Sequence, residues 1–167
     1  ESLADLVLGL HQYAPCRDRP ARRGEIGGKL RIRRQGDLPP ALLVGIDTYP
    51  PPVPWLAGCR NDVTQLTAFL EGNLGPRLRL ATLIDRQATR GAIIEAIRSH
   101  LGQAGVGDVA LFSYSGHGSE EPAPAEYAAL EPSGRIQTLV CVDVGRRDAA
   151  GALVRPLADK ELAVLFR

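Results

Sequence analysis

The sequence predicts an α/β protein, a three-layer sandwich on a mostly parallel sheet, and three observations lead there. Apolar runs of strand length stand at ALLVGID (41–47), LATLI (80–84) and GDVALFSY (107–114). Each is apolar on both faces, and the stretches between them space their apolar residues at helical period. Such strands, alternating with amphipathic helices, describe a parallel sheet covered on two sides.

Taken in order, residues 1–40 differ from the rest. ESLADLVLGLHQY (1–13) predicts a short amphipathic helix, and CRDRPARRGEIGGKLRIRRQGDLPP (16–40) is a basic stretch punctuated by Gly and Pro. Without interleaved aromatic residues for base stacking, it reads as a linker or the tail of an upstream region rather than a nucleic-acid arm. The domain proper spans residues 41–167. Its first strand ends at Asp47 and the Pro-rich loop TYPPPVPW (48–55). RNDVTQLTAFL (60–70) places Val63, Leu66 and Leu70 on one helical face. After the LATLI strand, Thr89 is the expected N-cap of RGAIIEAIRSHL (90–101), whose apolar face is Ile93, Ile94, Ile97 and Leu101. Beyond the third strand, TLVCVD (138–143) reads as a strand or hairpin arm and LADKELAVLF (157–166) as a further helix.

Composition limits the partners. Twenty basic against nineteen acidic residues leave a net charge of +1, which provides no general field for nucleic acid or an anionic membrane. No apolar run approaches the roughly 20 residues of a bilayer-spanning helix and no signal-peptide layout is present, so the chain reads as soluble and cytoplasmic. Cys16, Cys59 and Cys141 are odd in number and far apart, with no CxxC pair, which points to reduced thiols rather than a disulfide framework or a zinc site. The absence of methionine suggests part of a longer product.

The third strand runs into YSGHGS (114–119). In open parallel sheets the loops beyond the carboxyl ends of the strands collect catalytic groups, and His117 stands there between Gly116 and Gly118. These glycines allow a sharp turn and a close approach to substrate, and the Gly118 amide is an unobstructed donor. An imidazole can take and return a proton near neutral pH, although a loop histidine between turn glycines is an equal reading of the spacing alone.

YSGHGS together with LAGCRNDVTQLTAFL (56–70), TLVCVD and LADKEL resembles the caspase-like cysteine peptidases, and most closely their metacaspase branch, over residues 41–167. The resemblance implies a caspase-hemoglobinase-like sandwich, incomplete at its C-terminal end. It makes His117 the acid and base of a Cys–His dyad and Gly118 an oxyanion-hole donor. It places Cys59, Asp62 and Ser115 in the pocket for the residue before the cut, where the Asp62 carboxylate selects Arg or Lys. Each residue has a plainer reading: Asp62 as a first-turn helix acid, Cys59 as a small buried hydrophobe, Ser115 as a turn residue, and Asp47 as a loop cap.

None of the three cysteines fits the nucleophile. By resemblance the thiol follows the next core strand, beyond Arg167, so the remainder of the catalytic domain or a second chain is the expected partner, alongside a polypeptide substrate. Calcium is the one cofactor implied, with Glu120, Glu121, Glu126, Asp143 and Asp148 available, although they form no compact cluster in the sequence. GRRD (145–148) is either a dibasic self-cleavage point or a plain charged loop. The competing functional readings are an interaction or regulatory module without the thiol, and a small-molecule-binding α/β domain.

Overall fold

The computed structural model describes residues 7–11, 39–105, 108–125 and 131–167, so Cys16, Glu126 and the basic stretch up to residue 38 lie outside the described residues. In chain order the elements are β1 (Val7–His11), β2 (Pro40–Gly45), α1 (Cys59–Leu74), β3 (Arg79–Ile84), α2 (Arg90–Ser99), β4 (Leu111–Ser115), β5 (Gly118–Pro122), β6 (Arg135–Leu139), β7 (Leu157–Ala158) and α3 (Asp159–Leu165). Four strands form one wholly parallel sheet in the order β1-β4-β2-β3, and β5-β6-β7 form a small antiparallel sheet.

Strand alternation divides the parallel sheet into two apolar faces. Leu42 and Val44 of β2 and Phe112 and Tyr114 of β4 are buried in one cluster with Ile93 and Ile97 of α2 and Leu162 of α3. On the opposite face Gly45 lies against the Cys59 carbonyl and the Val63 side chain, which brings α1 down onto β2. These are the three layers of the expected sandwich. Helix α2 begins where its sequence predicts, with Thr89 Oγ1 accepting the Ala92 N–H at 3.2 Å. Among the described residues no helix is long and apolar enough to cross a membrane.

One segment departs from expectation and a second meets it in part. Val7–His11, inside the stretch that predicts a helix, is extended and pairs in parallel with β4, His11 opposite Ser115. A short apolar run satisfies either period, and pairing along the edge of β4 decides it for the strand. TLVCVD is only partly a strand: β6 ends at Leu139 and forms the antiparallel arm of a hairpin, while Val140, Cys141 and Val142 continue buried beneath the site.

Candidate active site

The carboxyl ends of β2, β3 and β4 lie side by side, with Gly45 in register with both Ile84 and Ser115. Just past these ends stand Asp47, Asp85 and His117. Asp47 is a cap, and it acts at long range. Its Oδ1 accepts the backbone N–H of Gly58 at 3.1 Å and of Cys59 at 2.8 Å, and its Oδ2 accepts that of Arg60 at 3.3 Å. Donors that the first turn of α1 leaves orphaned are thereby satisfied from the end of β2. Asp85 secures the arrangement, its Oδ1 accepting the N–H of Asp47 at 2.8 Å and of Thr48 at 3.0 Å.

Anchored this way, the first turn of α1 faces the end of β4. Ser115 Oγ donates to Asp62 Oδ2 at 2.7 Å. Cys59 is buried beside them; burial pushes its thiol above the ordinary range, the Ser115 hydroxyl opposes that rise, and the Asp47 and Asp62 carboxylates add to it. The structure brings Cys59, Asp62 and Ser115 together, the three residues that the resemblance groups. The Asp62 carboxylate retains an oxygen beyond the one that Ser115 occupies, and it is half-buried rather than sealed.

His117 is tied down through its main chain. Its N–H donates to Tyr49 Oη at 3.0 Å, and its carbonyl accepts from Val140 N at 2.9 Å and lies 3.2 Å from Tyr114 Oη. The two phenols lie 3.2 Å apart, and both donate to the Val140 carbonyl, at 3.1 Å from Tyr49 and 2.8 Å from Tyr114. Burial raises the Tyr49 hydroxyl to about 12 and Tyr114 well above its usual value, so both stay protonated donors at neutral pH. The His117 ring lies 4.9 Å from the Tyr49 ring, tilted by 57°. Its Nε2 is 2.9 Å from the Pro54 carbonyl oxygen. A carbonyl only accepts, so Nε2 carries the hydrogen and Nδ1 holds the free lone pair of the neutral ring.

Gly116 has a different role from the one its turn position suggests. Its φ is not positive; instead a Cβ there would lie 2.7 Å from both the Tyr49 and Tyr114 hydroxyls. Glycine is required for the tyrosine pair to close beneath the backbone. Gly118 opens β5 opposite Leu139, next to the hydrogen-bonded His117–Val140 pair. Antiparallel alternation makes Gly118–Leu139 a non-hydrogen-bonded pair, which turns the Gly118 N–H away from β6.

Tyr49, Tyr114, Pro54 and Asp85 carry no signal for these roles in the sequence. Tyr49 is hidden in a Pro-rich loop and Tyr114 in a strand; the role of Tyr49 arises from contacts across 65 residues or more, with Tyr114, His117 and Val140 O, and that of Tyr114 from the same pairing and a bond to Val140 O 26 residues on. The calcium candidates do not converge. Glu120 binds Arg135 and Gln137, Glu121 binds Arg155, Asp143 accepts the Arg90 N–H, and Asp148 accepts the N–H groups of Ala150 and Ala152. Among the described residues no three His, Cys, Asp or Glu side chains gather as metal ligands. Each of these four acids is already engaged by protein donors, so as placed here they do not form a calcium site.

Comparison with known proteins agrees with this architecture. Residues 40–165 match the family model of the caspase domain. The chain is 36% identical over 89 residues to Metacaspase-1A of Aspergillus oryzae, covering 49% of this chain and 21% of that protein. It is 33% identical over 94 residues to Metacaspase-3 of Trypanosoma cruzi, covering 52% and 26%. It is 35% identical over 88 residues to Metacaspase-2 of Trypanosoma brucei brucei, covering 48% and 25%. The chain thus spans about a quarter of the length of these relatives. A protein of Geobacter sulfurreducens of known crystal structure superposes with a TM-score of 0.57 at 28% identity, over 75% of this chain and 43% of that one. With layered sheet, histidine loop and sequence in agreement, the chain belongs to the caspase-domain family, on its metacaspase-like side.

Proposed function

We propose that this chain carries the histidine and the basic-residue pocket of a Cys–His endopeptidase that cleaves after Arg or Lys. The observation that carries the reading is the His117 Nε2 bond to the Pro54 carbonyl, which leaves Nδ1 as the proton acceptor of the neutral ring, in the loop that follows Ser115 and its bond to Asp62. Asp62 then takes the guanidinium or ammonium of the substrate residue before the cut, in a charge-assisted hydrogen bond.

The thiol comes from neither described cysteine. Cys141 is buried, and burial raises it to about 12; Cys59 is buried and raised as well. In this reading the nucleophile follows Arg167 in the longer protein. Nδ1 takes the thiol proton and sulfur attacks the peptide carbonyl carbon, forming a C–S bond and a tetrahedral oxyanion that the Gly118 N–H receives. Nδ1 returns the proton to the leaving nitrogen as the C–N bond breaks. Water, deprotonated by the same nitrogen, then releases the acyl group as the acid and restores the thiol. The test is turnover of basic peptides by the protein extended past Arg167. His117→Ala lowers kcat to about 1% or less of wild type at unchanged melting temperature; undiminished turnover overturns the assignment, and an extension without a cysteine favours the interaction-module reading.

A further inference from the structure

We propose that Trp55 is a specificity residue, a platform for a large apolar side chain of a substrate residue next to the basic one; this rests on the peptidase reading above. Trp55 is 72% exposed, the most open large hydrophobic side chain among the described residues. Exposure of so large a ring calls for an account, because covering it gains free energy in proportion to area. The ring is also oriented: its Nε1 donates to the Tyr49 carbonyl at 2.8 Å. The loop beneath it is fixed by Val53 N–H to Pro50 O at 3.1 Å and Leu56 N–H to Asp47 O at 2.9 Å. A held aromatic loses little conformational entropy when a partner arrives.

Its position identifies the partner. Trp55 directly follows Pro54, whose carbonyl binds His117 Nε2 at 2.9 Å. Backbone geometry then puts the Trp55 Cα within about 6 Å of the imidazole nitrogen. Four residues further on, Cys59 opens the helix that carries Asp62. A peptide whose scissile bond lies over His117 and whose basic residue reaches Asp62 therefore passes beside the indole. Residues 48–59 contain no charged side chain, and Pro51, Pro52 and Pro54 of the same loop are exposed. That surface suits an apolar or aromatic neighbour rather than a second charge.

Trp55 is the only tryptophan of the chain, which makes it its own reporter. Two dye-labelled peptide amides with one central arginine, flanked by Leu and Phe or by Gly on both sides, are titrated into the chain by anisotropy and intrinsic fluorescence. The apolar-flanked peptide is expected to bind about 10-fold more tightly and to shift Trp55 emission to the blue. The preference falls to within about 2-fold in Trp55→Ala and survives in Trp55→Phe. Binding without an emission change, or an undiminished preference in Trp55→Ala, overturns the Trp55 assignment while leaving the pocket intact. If neither peptide binds, or if Asp62→Asn binds both as well as wild type, the peptidase pocket itself fails and the inference with it.

Discussion

The main chain at His117 is clamped by two phenols, and that clamp, rather than a flexible turn, sets where the imidazole points. Tyr49 Oη accepts the His117 N–H and donates on to Val140 O, so Tyr49→Phe leaves a main-chain donor without its acceptor. We expect a stability loss of about 1–3 kcal/mol. On the proposed peptidase reading, kcat of the extended protein is expected to fall several-fold with little change in KM, because the ring moves while Asp62 does not; an equal rise in KM would contradict a positioning role. Gly116→Ala introduces a methyl 2.7 Å from both hydroxyls, and overpacking of this kind costs about 1–3 kcal/mol in thermal or denaturant unfolding. A neutral Gly116→Ala would mean that the tyrosine pair does not close as described. The histidine and its flanking glycines are legible in the sequence as a candidate site. The reason for Gly116 is not, because the atoms that forbid a side chain belong in part to Tyr49, 67 positions earlier in the sequence.

Helix α1 depends on a partner outside itself. Its N-cap position, Gly58, offers no side chain, and Asp47 supplies the acceptors from the end of β2. Asp47→Ala is expected to destabilise the fold by about 1–2 kcal/mol and to loosen the Asp62 pocket, which circular dichroism melts and arginine-peptide affinity report together. Asp47→Asn, which keeps an acceptor, restores part of both; if Asp47→Ala leaves both unchanged, the cap is dispensable. Strands β2 to β4 and the start of α2 are readable because periodicity and the Thr89 cap are local signals. Strand β5 is not: Gly118–Pro122 is a polar segment, paired with β6 and laced by Glu120–Arg135 and Glu121–Arg155 ion pairs. Its register depends on residues far along the chain. The apolar run of β1 fits a helix as well as a strand until the edge of β4 is considered.

For the molecule as a whole, buried acids that are neutral at physiological pH set an alkaline limit. Cys141 rises from 9.0 to about 12 and Tyr49 from 10.0 to about 12, both chiefly through burial. The unfolded chain releases these protons first, so their contribution is complete below about pH 9 and is lost as pH climbs toward 12. Near pH 10.5 the loss is on the order of 2–3 kcal/mol. Melting temperatures are expected to fall steadily above pH 9, with the onset about one pH unit higher in Cys141→Ala; a flat profile to pH 11 would contradict the burial of these groups. The layered architecture follows from composition and strand pattern. The candidate site depends on how three strand ends and one helix start converge, which no single segment encodes. The most direct measurement is kcat/KM of the extended protein on paired peptides with arginine or aspartate before the cut, in wild type and in Asp62→Asn. Wild type is expected to cleave only after arginine, and Asp62→Asn to lose about 2–3 kcal/mol of that selectivity, roughly 30- to 150-fold. Equal cleavage after both residues, or selectivity untouched by Asp62→Asn, would contradict the account.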